Sequence, residues 1–170
     1  MPFSPIPKLC VTSVFDITAE VLAEHGVSLL LLDLDNTLST YSKTLPTDEI
    51  LAWMQNLQSA GISLYIISNN PCQNRIENYA AACDIPCVHK ARKPSTKSLL
   101  KAMEEMGKTP AETALMGDQV FTDGLAANRA GALSIVVVPL EFNNLFYKFR
   151  FQVERPFRYL GGNQRTAGPN

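Results

Sequence analysis

The sequence lacks long apolar runs, clustered cysteines and an excess of either charge. Its longest apolar stretches, Leu29–Leu32 and Leu64–Ile67, are far shorter than the ~20 residues that a membrane-spanning helix needs. Residues 1–14 also lack the basic start and the long apolar centre of a secretory signal. These absences predict a soluble, cytoplasmic protein.

The charge balance argues against a nucleic-acid partner. The chain has 15 basic and 16 acidic residues, so its formal net charge is −1. Surfaces that bind nucleic acid normally carry a clear basic excess. No nucleic-acid partner is therefore expected.

The composition predicts one folded domain. Hydrophobic residues make up 46% and charged residues 18% of the 170 residues, which is enough apolar material for a core at a length that suits a single domain. We place this domain at residues 1–160. The remaining residues, 161–170, are predicted to form a disordered tail.

Cysteine and histidine are too few and too scattered for a zinc site. Cys10, Cys72, Cys83 and Cys87 form no CxxC pair, and the two histidines lie in no C-x-x-H or H-x-x-x-H frame. We therefore predict four reduced thiols in or near the core rather than metal ligands or disulfides.

Short apolar runs alternate with segments of helical period along most of the chain. Five short runs are predicted as strands: 28–32, 63–68, 87–88, 113–116 and 134–138. Helices are predicted at about 18–25, 47–60, 73–83, 96–106 and 123–130, with a further helix start at the capping box 109–112. Connections of this length join parallel strands. The predicted fold class is thus α/β, an open, mainly parallel, doubly wound sheet with helices on both faces.

Ligands of such sheets bind beyond the carboxyl ends of the strands, and two aspartates follow the first predicted strand directly. On an extended run, Asp33 and Asp35 point the same way about 7 Å apart. Burying them at the rim of a core is costly unless a cation compensates their charge. The pair therefore indicates a cation site, and the alternative is two aspartates that cap a helix or form a turn.

Polar residues also follow the second and third predicted strands. Ser68 and Asn69 precede a helix start, where side-chain donors and free backbone N–H groups can hold a phosphate oxygen. The alternative is an ordinary helix cap. Lys93 lies in a basic loop of the kind that is usually just solvated, but Pro94 restricts its backbone and so limits where its side chain emerges.

The fourth predicted strand is followed by Gly117, Asp118 and Asp123. Glycine permits a tight backbone just before the first of these aspartates. All four strand ends lie on one edge of the predicted sheet, which gathers several carboxylates around Lys93. Mg²⁺ binds carboxylates together with phosphate oxygens, so the joint pattern predicts a Mg²⁺ site that takes an anionic ligand.

In this order, the motifs DLDNT, SNN, KP and GDQVFTD resemble the four motifs of the haloacid dehalogenase (HAD) superfamily of phosphohydrolases. The likeness covers residues 28–138. The continuation G-x-x-A-N-R-x-G after the fourth motif is similar to the YqeG-type subfamily of class IIIA, which is related to the phosphatidylglycerophosphate phosphatases of mitochondria and plastids. The resemblance implies a HAD-like, Rossmann-type core.

The resemblance implies three catalytic residues. Asp33 would be the nucleophile and form an aspartyl-phosphate. Asp35 would protonate the leaving alkoxide and then activate the hydrolytic water. Lys93 would neutralise the charge of the phosphoryl group and of the nucleophile.

The resemblance also implies which residues bind substrate and metal. Ser68 would bind a phosphoryl oxygen, with Asn69 beside it. Mg²⁺ would be held by the carboxylates of Asp33 and Asp118 and by the backbone carbonyl of Asp35. Asp123 would lie behind these ligands and hold Lys93 or a metal-bound water.

The spacing of the motifs leaves no room for a cap domain. The stretches from Asp35 to Ser68 and from Ser68 to Lys93 are each filled by one crossover, whereas a cap would need at least ~50 further residues for its own core. An uncapped site admits a phosphate on a large carrier, such as a lipid headgroup in a bilayer. Small metabolites fit if a partner subunit closes the site.

The segment 144–160 interleaves aromatic and basic residues against a single acid, Glu154. One interpretation is a peripheral contact with anionic lipid at the inner face of the membrane. The other is that the aromatic residues pack on the sheet while the cations stay in water. The residues concerned are Phe146, Tyr147, Phe149, Phe151, Phe157 and Tyr159 with Lys148, Arg150, Arg155 and Arg158.

The leading hypothesis is a Mg²⁺-dependent phosphomonoester hydrolase that works through an aspartyl-phosphate, with phosphatidylglycerophosphate as the preferred substrate. The same chemistry on another phosphorylated macromolecule or on a small metabolite is the first alternative. A phospho-receiver switch or an interaction module with a vestigial site is the second. A receiver normally carries its acidic pair and its phosphoacceptor after different strands, whereas Asp33 and Asp35 follow the same strand.

Overall fold

One open sheet of six parallel strands forms the centre of the molecule. The computed structural model describes residues 4–142 and 145–161. Its strands are β1 (Leu9–Val11), β2 (Leu29–Leu32), β3 (Ser63–Ile67), β4 (Cys87–Val88), β5 (Thr113–Gly117) and β6 (Leu133–Val137). They are ordered β1-β6-β5-β2-β3-β4, and every neighbouring pair is parallel. The predicted fold class is confirmed, although the sequence pattern did not predict β1.

Six α-helices accompany the sheet within the described residues. They are α1 (Ala19–Glu24), α2 (Asp48–Ser59), α3 (Gln73–Ala82), α4 (Lys97–Glu105), α5 (Leu125–Ala130) and α6 (Leu145–Leu160). Threonine caps begin two of them, since the side chains of Thr18 and Thr47 accept hydrogen bonds from the backbone N–H groups of Val21 and Ile50. The first five were predicted to within a few residues, and α6 was not.

Two predicted helix starts differ in form. The capping box at Thr109 is present, but it begins only a 3-10 turn at Pro110–Glu112, which ends where β5 begins. The helix predicted from Asp123 is preceded by a π-helical turn, Val120–Gly124. A π turn widens the helix by one residue and is common at functional sites. This turn carries Asp123 to the carboxyl end of β5.

Two apolar cores lie on opposite faces of the sheet. All four leucines of β2 are fully buried, and they alternate between the faces because successive residues of a strand point to opposite sides. Leu30 and Leu32 pack with residues of α1, α2 and α3. Leu29 and Leu31 pack with residues of α4 and α5. Burial on both faces explains why the strand is an unbroken apolar run.

The sheet reverses its winding at β2. The chain goes from β2 to β3 on one side and returns to β5 on the other, so β2 has β3 and β5 as neighbours. The connection that leaves β2 and the one that leaves β5 run to opposite sides, which opens a crevice at the carboxyl ends of β2 and β5. Asp33 and Asp118 are the first residues after β2 and β5, so both lie at this crevice.

No cap domain interrupts the described part of the core. The stretch from Asp35 to Ser68 contains a loop, α2 and β3, and the stretch from Ser68 to Lys93 contains α3 and β4. The predicted tail, 161–170, lies outside the described residues except for Gly161. That residue is buried against Pro7, so packing extends one residue past the predicted domain boundary.

All four cysteines are free thiols, as predicted, but they do not share one environment. Cys10 and Cys83 are buried and Cys87 is half-buried, whereas Cys72 is exposed. The predicted core location is therefore wrong for Cys72, which lies in the turn before α3. Among the described residues, no helix is both long and apolar enough to cross a membrane.

Candidate active site

Lys93 joins two aspartates at the carboxyl end of the sheet. Its ammonium nitrogen lies 2.5 Å from Oδ1 of Asp33 and 2.7 Å from Oδ1 of Asp123, and it donates to the backbone carbonyl of Ile67 at 2.8 Å. Burial alone would lower the pKa of Lys93, but the carboxylates of Asp123 and Asp33 outweigh it and the net shift is upward. The lysine is therefore a permanent positive charge beneath the predicted nucleophile.

Asp118 completes a cluster of three buried carboxylates. Asp33, Asp118 and Asp123 offer oxygen atoms that all lie within 4.8 Å of one another. Burial raises the pKa of Asp33 to about 7 even though Lys93 lowers it. Burial also raises the pKa of Asp118 well above its usual range, and the neighbouring Asp33 and Asp123 raise it further. Lys93 and Arg150, which lies 3.0 Å from Asp118, supply two positive charges for three carboxylates, so the cluster still lacks positive charge.

The donor atoms of this cluster suit a hard divalent cation. Oδ1 of Asp118 is buried and has no hydrogen-bond partner among the described residues, which is costly for a carboxylate oxygen unless a cation takes that place. Asp123 is already occupied, because Lys93 binds its Oδ1 and the backbone N–H of Gln119 donates to its Oδ2. The residues present therefore fit a Mg²⁺ ion on the side of Asp33 and Asp118. Asp123 thus contacts Lys93, one of the two partners that the family resemblance implies for it.

Asp35 stands apart from the cluster and has partners of its own. Arg75, at the start of α3, places Nη1 2.6 Å from Oδ1 of Asp35, and the Nδ2 of Asn70 donates to Oδ2 at 2.7 Å. Arg75 is itself held, because its Nη2 donates to the carbonyls of Thr40 and Lys43 at 3.0 Å. The predicted acid–base residue is thus oriented by an arginine that was not predicted from the sequence.

The two predicted phosphate-binding residues differ in what they can offer. Ser68 is buried directly after β3, and its hydroxyl accepts a hydrogen bond from the backbone N–H of Asn70 at 3.1 Å. Its own hydroxyl hydrogen is thus available to an anion. Asn69 instead holds the backbone of Lys93, since its Nδ2 donates to the Lys93 carbonyl at 3.0 Å and its Oδ1 accepts the Lys93 N–H at 2.7 Å. The side chain of Asn69 therefore positions Lys93, and substrate binding by Asn69 stays a prediction.

Gly117 is needed for space rather than for an unusual backbone. A Cβ atom added there would lie 2.3 Å from Cγ of Asp123, a distance at which carbon atoms overlap. Gly117 does not have a positive φ, so the predicted reason for a glycine at this position was incomplete. The missing side chain lets the Asp123 carboxylate pack against the end of β5 and reach Lys93.

Helix α6 covers Asp118 with charged residues spaced one turn apart. Nη2 of Arg150 lies 3.0 Å from Oδ2 of Asp118. Arg158 is buried and donates to the backbone carbonyls of Asp118 and Val137 and to Glu154. Glu154 is also buried. The expectation that the cations of this segment stay in water is therefore wrong for Arg150 and Arg158.

Two tyrosines link α6 to the loop that follows β2. The hydroxyl of Tyr147 donates to the hydroxyl of Tyr41 at 3.1 Å, and the Arg150 guanidinium lies 4.9 Å from the centre of the Tyr147 ring. Partial burial and Tyr147 raise the pKa of Tyr41, and the charges of Asp35 and Asp118 raise it further. Tyr41, Tyr147 and Arg150, here called the rim, thus lie beside both halves of the site.

Arg75 and the role of α6 were not predicted from the sequence, for different reasons. Arg75 lies five residues after the SNN motif, in the first turn of α3, and a cation so close to a predicted phosphate-binding motif was a usable signal. In α6, Arg150, Glu154 and Arg158 recur at intervals of four and share one helix face. Pro156 lies inside this helix. Because proline usually ends a helix, the local sequence pattern did not predict one here.

Sequence comparison places these features in a known family. A family model for haloacid dehalogenase-like hydrolases matches residues 12–131. The chain belongs to the haloacid dehalogenase-like hydrolase family. It is 35% identical over 151 residues to the probable phosphatase YqeG of Bacillus subtilis, and the match covers 88% of this chain and 87% of the relative. The protein is therefore a phosphatase.

Solved structures show the same fold at low sequence identity. The cobalt-bound deoxy-D-mannose-octulosonate 8-phosphate phosphatase of Haemophilus influenzae superposes with a TM-score of 0.54 at 14% identity, covering 74% of this chain and 75% of that one. A 3-deoxy-D-manno-octulosonate 8-phosphate phosphatase of Moraxella catarrhalis, solved with magnesium, phosphate and its sugar, superposes with a TM-score of 0.50 at 15% identity. That match covers 84% and 94% of the two chains.

Proposed function

We propose that the protein is a Mg²⁺-dependent phosphomonoester hydrolase that forms an aspartyl-phosphate on Asp33. The observation that carries the proposal is the pairing of Asp33 with Lys93 beside the partnerless Oδ1 of Asp118. A carboxylate nucleophile can approach an anionic phosphate only where local positive charge offsets the repulsion.

The carboxylates of Asp33 and Asp118 and the backbone carbonyl of Asp35 would hold the magnesium ion. When bound, Mg²⁺ offsets the charge of the carboxylates and of the phosphoryl oxygens. The presence of cobalt or magnesium in the two octulosonate phosphatases supports a divalent ion here.

Hydrolysis takes two chemical steps, and Asp33 and Asp35 have a defined role in each. In the first, a carboxylate oxygen of Asp33 attacks phosphorus, the bond to the leaving oxygen breaks, and a protonated Asp35 gives that oxygen its proton. In the second, Asp35 takes a proton from water, whose oxygen attacks phosphorus and releases orthophosphate and the Asp33 carboxylate. Ser68 holds a phosphoryl oxygen throughout. The three donors of Lys93 are taken by Asp33, Asp123 and a backbone carbonyl, so Lys93 acts through its positive charge, which offsets that of the nucleophile and of the phosphoryl group.

Replacing Asp33 tests the proposal. Asp33→Asn removes the nucleophile but keeps its shape, so phosphate release from a generic aryl phosphate should fall to background with Mg²⁺ present. The melting temperature, measured in parallel, shows whether the variant folds. Turnover near that of the wild type in a folded Asp33→Asn protein would remove Asp33 from the mechanism. A wild-type protein that keeps phosphate on Asp33 without releasing it would indicate a phospho-receiver instead.

The uncapped site supports a large phosphate carrier, and we propose phosphatidylglycerophosphate. The outer face of α6 supports presentation at a membrane, because it exposes large apolar side chains together with Lys148 and Arg155. Those apolar residues are Leu145, Phe146, Phe149, Val153 and Leu160. Apolar and basic residues on one exposed face bind anionic lipid surfaces, and each basic residue contributes about 1 kcal/mol.

Vesicle binding tests this substrate. We expect the protein to sediment with phosphatidylglycerol vesicles at low salt and not with phosphatidylcholine vesicles. Phe149→Glu should weaken binding while leaving hydrolysis of a soluble aryl phosphate unchanged, since Phe149 is exposed. Absence of vesicle binding, with equal turnover of the lipid and of glycerol phosphate, would remove the lipid and leave the phosphatase.

A further inference from the structure

We propose that Arg150 binds a second anionic group on the substrate, carried by the leaving group a few bonds from the phosphomonoester. This inference rests on the proposed function, because it needs a leaving group that departs from phosphorus when Asp33 attacks. It makes the preferred substrates phosphomonoesters that also carry a phosphodiester or a comparable anion.

The contacts of Arg150 differ from those of a structural arginine. Its guanidinium faces two acids, Asp118 at 3.0 Å and Glu154 at 3.8 Å, and its Nε has no hydrogen-bond partner within the described part of the chain. Its side chain keeps 17% of its surface exposed. Arg158, on the next turns of the same face, is buried and donates to two backbone carbonyls and to Glu154. Arg158 therefore anchors α6, whereas Arg150 is partly exposed and donates one side-chain hydrogen bond, to Asp118, within the described residues.

The position of Arg150 relative to Asp35 indicates which part of the substrate it meets. In the reaction, the leaving oxygen lies opposite the attacking Asp33 oxygen and within reach of Asp35. The rim runs from Tyr41, which is close enough to Asp35 to be influenced by its charge, through Tyr147 to Arg150. A leaving group that extends from Asp35 along this rim would carry its next groups toward Arg150. A group held there would therefore contact Arg150.

The charge of Asp118 explains how Arg150 can contact both this carboxylate and a substrate anion. Without a metal, Arg150 is the counter-charge of Asp118. A divalent cation on the free Oδ1 of Asp118 supplies that positive charge, so the guanidinium can turn its remaining donors to an anion. Arginine binds phosphate oxygens with two parallel hydrogen bonds, which suits a phosphodiester.

Matched substrates test the proposal through activity. Glycerophosphoglycerophosphate and glycerol 3-phosphate present the same kind of alkyl leaving group, with and without a phosphodiester. We expect Arg150→Ala to lower kcat/KM for the first about tenfold to a hundredfold, mainly through KM, as for the loss of hydrogen bonds to a charged group. Any loss for glycerol 3-phosphate reports the contact of Arg150 with Asp118 and should be about tenfold smaller than the loss for the diester compound. Arg150→Lys should be intermediate, because an ammonium keeps the charge but cannot donate two parallel hydrogen bonds.

Two controls separate this role from others. Arg129→Ala removes an exposed arginine of α5 and should change neither substrate. Phosphatidylglycerophosphate in micelles should lose as much activity as its soluble headgroup, since both carry the diester; loss only with the lipid would assign Arg150 to membrane contact. Equal losses on the headgroup and on glycerol 3-phosphate would overturn the proposal, because Arg150 would then act on the transferred phosphoryl group or on Asp118.

A binding measurement keeps the test independent of turnover. In an Asp33→Asn background, the affinity for glycerophosphoglycerophosphate in Mg²⁺ is measured by calorimetry with and without Arg150→Ala. We expect about tenfold weaker binding of this compound and a clearly smaller loss for glycerol 3-phosphate. Unchanged affinity for both overturns the inference. Arg150-dependent binding in a wild-type protein that hydrolyses neither compound would overturn the proposed function while leaving the anion site in place.

Discussion

At the scale of single residues, the site consists of carboxylates whose partners come from distant parts of the chain. Asp33 meets Lys93, Asp35 meets Arg75, and Asp118 meets Arg150. Each aspartate could be predicted because it follows a strand directly. The partners were harder to predict, since a cation on a helix is usually solvated. The role of Lys93 was predictable only because Pro94 follows it and because the pair is the third of four motifs in a fixed order.

Arg75 is expected to control the acid–base step. Arg75→Ala leaves Asp35 with Asn70 as its remaining side-chain partner, so the carboxyl should lose its orientation toward the leaving oxygen. We expect the rate of phosphate transfer from an alkyl phosphate to Asp33 to fall roughly tenfold or more, with a smaller loss for an aryl phosphate, whose leaving group departs without a proton. Single-turnover phosphate transfer measures the step. Equal losses for both substrates would mean that Arg75 acts elsewhere.

Gly117 is expected to tolerate no side chain. Gly117→Ala would place a Cβ atom 2.3 Å from Cγ of Asp123, so the Asp123 carboxylate must move away from Lys93. We expect loss of most activity and a lower melting temperature. Gly124→Ala is the matched control, because its Cβ would meet Val136 at 3.4 Å, which is ordinary contact. If Gly117→Ala behaved like Gly124→Ala, the steric account would be wrong.

At the scale of elements, α6 takes part in the site although it follows the last strand. Its outer face exposes apolar side chains, and its inner face contains Glu154 and Arg158, both buried. Burial raises the pKa of Glu154, which Arg158 lowers in turn. Buried charges of this kind persist only when paired and hydrogen-bonded, so the inner face fixes α6 over Asp118.

Arg158 is expected to stabilise the fold rather than to contact a membrane. Arg158→Ala leaves Glu154 and two backbone carbonyls without their donor, so the free energy of unfolding should fall by roughly 2–4 kcal/mol. Arg155→Ala, at an exposed position, should change it by less than about 0.5 kcal/mol. Urea unfolding compares the two variants. Equal stability of both would contradict the buried network.

At the scale of the whole molecule, the fold gathers buried carboxylates at the carboxyl edge of the sheet. The net charge of the chain is −1, yet three carboxylates share the crevice between β2 and β5. The opposite windings on the two sides of β2 leave this crevice open. The overall charge therefore says little about the local field that a ligand meets.

This field predicts how stability depends on pH and metal. Burial raises the pKa of Asp33 from its usual 3.8 to about 7, so the protonated form favours folding, and that stability is lost as the pH rises through about 7. The metal-free protein should therefore be less stable at about pH 8 than at about pH 5, and Mg²⁺ should raise its melting temperature more at the higher pH. Thermal unfolding with and without Mg²⁺ measures this difference.

The control for the metal effect is Asp118→Asn. It removes one buried charge, so we expect this variant to be more stable than the wild type at high pH without metal and to respond weakly to Mg²⁺. Each tenfold change in the proton affinity of a buried carboxyl on folding corresponds to about 1.4 kcal/mol of stability. An equal effect of Mg²⁺ on the two proteins would show that the ion binds away from the cluster.

Much of the fold could be predicted because its signals are local. The apolar runs of β2 to β6 and the helical period of α1 to α5 appear within short windows of sequence. The edge strand β1 has only three residues and α6 contains a proline, so local patterns failed for both. Their structure depends on tertiary contacts: β1 pairs with β6, and α6 is held by the buried network of Arg158.

The candidate site, too, was predictable where its signals are local and not where they depend on tertiary contacts. The positions of Asp33, Asp35, Ser68 and Asp118 follow from chain order, because residues directly after parallel strands must meet at one edge of the sheet. Which cation meets which carboxylate does not follow from chain order. The pairing of Asp35 with Arg75 and of Asp118 with Arg150 depends on how α3 and α6 pack. The energy of a buried charge pair depends on distances of a few ångströms, and only the packed structure sets these distances.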